Sequence, residues 1–143
     1  MSDKSHGKCL CGKVSFTTER IHEVGACHCG MCRRWCGSPG IAAHLKGPPA
    51  IKGEEFITWF SSSEWAERGF CNVCGSSLFY RLTGETPQYF VMAGTYDDQS
   101  AFKLASQIFI DEKPEYYDFA GDIPSMTGAE VFALYADKPE STS

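Results

Sequence analysis

Eight cysteines, seven of them in three tight groups, constrain this chain more than any other feature. Cys9-x-Cys11-Gly12 comes first. Cys27-His28-Cys29-x-x-Cys32 follows, with Cys36 four residues further on, and Cys71-Asn-Val-Cys74-Gly75 closes the series. Residues two apart in a strand point to one face. Cys9 and Cys11 can therefore aim both sulfurs at one ion. So can Cys27 and Cys29, while His28 between them points away. A C-x-x-C that turns sharply also brings two sulfurs together, and Gly75 lets the turn adopt positive φ. Such a knuckle is a strong zinc signal when a second pair completes four ligands, and two candidate pairs exist here.

Counting the thiols narrows the options. A structural zinc takes four thiolate or imidazole ligands. One such site uses four of the seven grouped cysteines and leaves three. Three protein ligands with an open position is the pattern of a catalytic zinc. Alternatively, Cys36 or a histidine closes the second site, which is then structural as well. Residues four apart on a helical turn face together, so Cys36 can swing toward Cys32. Spacing alone leaves open which pairs share an ion. The histidines read more plainly. His6 falls in a polar N-terminal stretch, His22 in a polar connection and His44 on a strand surface, and His28 is not read as a ligand.

The chain has 143 residues, which fits one domain with a real core. It contains no apolar run long enough to span a bilayer. The N-terminal MSDKSHGKCLCGK lacks the basic-then-apolar pattern of a secretory signal, so a cytoplasmic location is expected. In that compartment cysteines are metal ligands or reactive thiols more often than disulfides. A net charge of −5 repels phosphate backbones, so no nucleic-acid partner is expected. Arg33 and Arg34 form the only adjacent basic pair.

Period-two alternation predicts a strand through Val14, Phe16 and Thr18, and another from Val24 into the second cysteine group. Further strands are expected at Ile41–Leu45, Phe56–Phe60, Trp65–Phe70, Leu78–Leu82, Tyr89–Ala93 and Gln107–Ile110. Helical periodicity is weak, with short candidates at Arg33–Gly37 and Gly128–Ala136. About eight short strands with regular turn signals indicate a mainly β domain. A single domain is expected over residues 7–136, with flexible termini at 1–6 and 137–143.

Three segments in this order, CLCGKVSF, CHCGMCRRWCGSP and GFCNVCGSSLFY, resemble the glutathione-dependent formaldehyde-activating enzyme family, which also includes centromere protein V. A fourth, QIFIDEKPEYYDFAGDIP, is similar to the family's C-terminal strand and the aromatic stretch after it. The resemblance covers roughly residues 7 to 125. It implies a zinc-containing β-tent (Mss-four-like) fold of short antiparallel sheets with one or two short helices. It implies that Cys9, Cys11, Cys71 and Cys74 bind a structural zinc, and that Cys27, Cys29 and Cys32 form a second, open zinc site. It further implies glutathione as substrate or ligand. The implied activity is that of a carbon–sulfur lyase, joining glutathione to formaldehyde as S-hydroxymethylglutathione.

Two positions depart from the family pattern. Cys36 stands where relatives often carry another small or polar residue. It could close the second zinc, pair with a thiol substrate, or have no role. Gln107 stands where many relatives have histidine. Arg33 and Arg34 are candidates to meet a glutathione carboxylate, because the guanidinium fork matches a carboxylate. The alternatives to the lyase are a non-enzymatic zinc-binding module, a glutathione carrier, and a thiol-redox protein using Cys32 and Cys36. The expected partners are a small-molecule thiol and an electrophile, with no membrane. Aromatic strands such as FITWF would suit a homodimer.

Overall fold

The computed structural model describes residues 3–136. Strands β1 (Lys4–Lys8), β2 (Ser15–Glu19) and β5 (Ala50–Lys52) form a small sheet in the order β1-β2-β5. Eight further strands form a large one: β3 (Glu23–Cys27), β4 (Gly40–His44), β6 (Ile57–Ser61), β7 (Ala66–Cys71), β8 (Ser77–Leu82), β9 (Gln88–Met92), β10 (Lys103–Ile108) and β11 (Ser125–Met126). Their order is β11-β10-β3-β4-β9-β8-β7-β6. Helix α1 (Gly30–Cys36) follows β3, and α2 (Gly128–Ala136) follows β11. The mainly β reading therefore holds, with two short helices. The sheets are not wholly antiparallel, because β10 runs parallel to both β3 and β11. Among the described residues no helix is long and apolar enough to cross a membrane.

The core lies where the small sheet covers the large one. In β2 the alternation read from sequence buries Phe16 and Thr18. The Phe16 ring meets Phe79 edge-on at 5.5 Å and Tyr96 at 5.2 Å. Edge-to-face aromatic pairs add to the gain from area burial. Val14, Leu78 and Val91 fill the space around them and are fully buried. The Tyr96 hydroxyl, carried into this core, meets Thr18 Oγ1 at 3.0 Å, so its polar end is satisfied.

Several boundaries differ from those expected. Residues 4–6, expected to be loose, pair with β2 in register Lys4↔Glu19 to His6↔Thr17. His6 is held there, its Nδ1 3.0 Å from Thr17 Oγ1. Strands β1, β5 and β11 carry little apolar alternation (KSHGK, AIK, SM), and backbone pairing with a neighbour defines them. Helix α1 begins three residues earlier than expected and ends before Gly37, which takes φ 76° as its C-cap. The strand expected at Gln107–Ile110 instead occupies Lys103–Ile108. Phe109 adopts φ 55°, which ends the strand and turns the chain into a 3-10 turn at Ile110–Glu112. That turn lets Glu112 Oε1 accept from the Gly30 N–H at the start of α1. Helix α2 spans Gly128–Ala136, as expected. The expected flexible terminus at 137–143 lies outside the described residues.

Candidate metal and thiol sites

Two loops bring the first and third cysteine groups together. After β1 the chain turns at Cys9–Gly12, with the Gly12 N–H donating to the Cys9 carbonyl. The sulfurs of Cys9 and Cys11 thus converge through a turn, not through the strand alternation expected for them. The second loop leaves β7 at Cys71, and the Gly75 N–H donates to the Cys71 carbonyl at 2.7 Å. Gly12 and Gly75 take φ 82° and 84°, the left-handed region that side chains resist. Ser76 locks the loops to each other. Its hydroxyl accepts from the Leu10 N–H and lies 3.1 Å from Cys74 Sγ.

The four sulfurs of Cys9, Cys11, Cys71 and Cys74 all lie within 4.8 Å of one another. Cys9–Cys11 measures 3.6 Å and Cys11–Cys71 3.7 Å. Thiolates about 2.3 Å from a central zinc form a tetrahedron with edges of about 3.8 Å. The set therefore fits a tetrahedral thiolate ion, and the backbone supports it. Val14 N–H donates to Cys9 Sγ, and Val73 and Cys74 N–H donate to Cys71 Sγ, at 3.4 to 3.5 Å. Bonds of this kind favour the ionised thiol, the form a metal needs. The Ser76 hydroxyl and other donors pull Cys74 down to about 5.

The middle group forms a separate set. Cys27 ends β3, Cys29 is the N-cap of α1, and Cys32 lies in the first turn of that helix. Their three sulfurs also fall within 4.8 Å of one another. Cys29 Sγ accepts from the Cys32 N–H at 3.3 Å, the usual geometry of an N-cap side chain. Hydrogen bonds from the Cys27 and Cys32 thiols hold Cys29 down at about 2. The same sharing pushes Cys27 far up.

Cys36 stands apart from this set. It occupies the last turn of α1, and burial pushes its thiol up. It does not join the three sulfurs grouped within 4.8 Å. All eight cysteines are free thiols.

His28 faces away from the thiols, as the alternation predicts, and is fully buried. Its Nε2 lies 2.8 Å from Gln107 Oε1, and its Nδ1 lies 2.9 Å from the Tyr117 hydroxyl. A carbonyl oxygen only accepts, so Nε2 carries a proton and donates it to Gln107. Gln107 is thereby a partner of His28. Tyr117 also stacks on the imidazole at 5.5 Å, and Phe119 lies tilted beside it at 5.8 Å. The aromatic segment after β10 thus forms the back wall of the thiol loop.

The two arginines named from sequence have different surroundings. Arg33 Nε donates to the His28 carbonyl at 2.9 Å, bracing the turn between Cys27 and Cys29. Arg34 is exposed. Trp35, next on the helix, donates to Ser77 Oγ at 2.8 Å and stacks on Phe60 at 5.7 Å. Trp35, Phe60, Phe70, Gly75 and Ser77 line an open groove of about 410 Å³, with no ionisable group among these described residues.

One residue at the site was missed from sequence. Arg68 of β7 is 4 % exposed, and its Nη2 donates to Cys32 Sγ at 3.7 Å. Its guanidinium sits 4.7 Å from the centre of the Tyr80 ring. The available signal was phase: in AERGFC, Arg68 alternates with Ala66, an inward position.

A mainly β scaffold with a closed four-thiol set and an open three-thiol set, each able to hold a metal ion, defines the class of protein. The chain belongs to the family of glutathione-dependent formaldehyde-activating enzymes, whose family model matches residues 4–112. It is 35 % identical over 127 residues to an uncharacterized lyase of Schizosaccharomyces pombe, covering 87 % of this chain and 92 % of that one. Its fold is similar to the crystal structure of a Rhodobacter sphaeroides protein, with a TM-score of 0.55 at 21 % identity. That match covers 84 % of this chain and 98 % of the other.

Proposed function

We propose that this protein is a zinc-dependent carbon–sulfur lyase-type enzyme that handles glutathione adducts, joining glutathione to formaldehyde and releasing it in reverse. The family match and the lyase-named relative support this reading. The observation that carries it is the difference between the two thiol sets. Four sulfurs close the first, whereas the second has three and leaves Cys36 outside. Zinc held by Cys27, Cys29 and Cys32 would supply a soft electrophile that keeps an arriving thiol ionised near neutral pH.

The chain's own residues do the rest. The N-cap geometry of Cys29 and the Arg33 bond to the His28 carbonyl hold the loop in one shape. Arg34 on the exposed face of α1, with Arg33 beside it, is suited to the carboxylates of glutathione. In the reaction the glutathione sulfur forms a bond to the formaldehyde carbon. The carbonyl π pair moves to oxygen, and that oxygen takes up one proton in place of the one the thiol gave up. The product is S-hydroxymethylglutathione, and the reverse breaks the same carbon–sulfur bond.

Native mass spectrometry with added glutathione tests this. Two zinc ions plus one glutathione, the glutathione leaving together with the second zinc, is the expected result. One zinc, or two zincs without glutathione, would overturn the reading.

A further inference from the structure

We infer that Arg68 is the counter-charge of the second thiol set, a positioning residue that makes this set accept an anionic thiolate in preference to a neutral ligand. The inference rests on the thiol-binding reading above. A guanidinium stays charged at any pH a protein meets, so a buried arginine needs an anion beside it. Arg68 is 4 % exposed. Its sequence neighbour Glu67 is taken by Arg81 at 2.7 Å. Among the described residues, then, no carboxylate pairs with Arg68. The group its Nη2 reaches is Cys32 Sγ at 3.7 Å, and the Tyr80 ring covers its face.

The charge count shows what this arrangement does. Three thiolates around a dication leave one net negative charge. Arg68 would cancel it, so the metal-loaded set without a fourth ligand would be neutral as a whole. A fourth thiolate then brings the total to minus one. Without Arg68 the same step would go from minus one to minus two. The cost of holding charge away from water rises steeply with its magnitude. A neutral ligand changes the total in neither case. Arg68 therefore favours thiolate binding specifically.

Cobalt(II) in place of zinc gives visible bands that report both metal uptake and the ligands bound. The wild-type protein, R68M and R68K are loaded with cobalt and titrated with 2-mercaptoethanol, an anionic ligand once ionised, and with imidazole, a neutral one. Loss of a unit charge beside the site is expected to weaken thiol binding by about tenfold or more in R68M while imidazole binding stays within about twofold. R68K should keep most of the thiol preference. R68M with wild-type affinity for both ligands overturns the inference and leaves the thiol-binding reading standing. So does equal weakening for both ligands, which marks a packing role. Should R68M lose the second ion, R68K decides. A second ion with wild-type thiol preference supports the charge role, and its loss in R68K as well overturns it. A wild-type protein that takes up a single cobalt overturns the thiol-binding reading and this inference with it.

Discussion

Cys74→Ser is the sharpest test of what the four-thiol set does for the fold. Cys74 is only partly buried, so exchanging sulfur for oxygen at that position costs little by itself, on the order of 0.5 kcal/mol. Its effect should therefore come almost entirely from the ion it would hold. Cys11 and Cys71 are 60 residues apart in sequence, yet their sulfurs lie 3.7 Å apart. An ion shared between them closes that loop in the way a cross-link does. Closing a loop of this length in the unfolded chain is worth roughly 4 kcal/mol. For 143 residues, an unfolding entropy of about 0.3 kcal/mol/K converts this to a Tm lower by roughly 10–15 °C. Thermal melts followed by circular dichroism, with zinc counted by native mass spectrometry, read both quantities. A strong chelator should bring wild type down toward the variant. A Cys74→Ser protein with wild-type Tm and its full zinc content would refute the reasoning.

Two other substitutions probe the second site. Gln107→Leu removes the acceptor from the buried His28 Nε2–H, and an orphaned buried donor costs about 1–3 kcal/mol. Urea unfolding should show that loss, and a midpoint equal to wild type would mean that another group satisfies His28. Cys36→Ser should keep both zinc ions and the bound glutathione, because Cys36 does not join the three-sulfur group. Native mass spectrometry checks this. Loss of the second zinc would make Cys36 a ligand, whereas loss of activity with both zincs retained would favour a redox role.

Much of this was legible in the residues because the relevant signals are local. The Cys71–Gly75 knuckle needs a left-handed glycine, and Gly75 takes it. Phe16 and Thr18 alternate with polar neighbours, and that alternation buries them in β2. Cys27, Cys29 and Cys32 lie within six residues, so one strand end and one helical turn bring them together. His28 turns away from them for the same reason of alternation. The less legible elements lack such a signal. The strand Lys4–Lys8 has no apolar face of its own and exists because β2 offers its backbone. The end of β10 depends on Phe109 leaving the extended region, which nothing in QIFI announces.

The sequence by itself thus determined which side chains could act as thiol ligands, that a mainly β chain would carry them, and which family the motifs resemble. Tertiary structure decided how those ligands divide. Cys9 and Cys11 meet Cys71 and Cys74 only because the two loops are carried to the same point and joined through Ser76. It also buried Arg68 against Cys32, from a strand position 36 residues away in sequence. Spacing along a chain fixes distances over a few residues. A meeting across dozens of residues, and the cost of a charge at that meeting, depend on which surfaces pack together and exclude water.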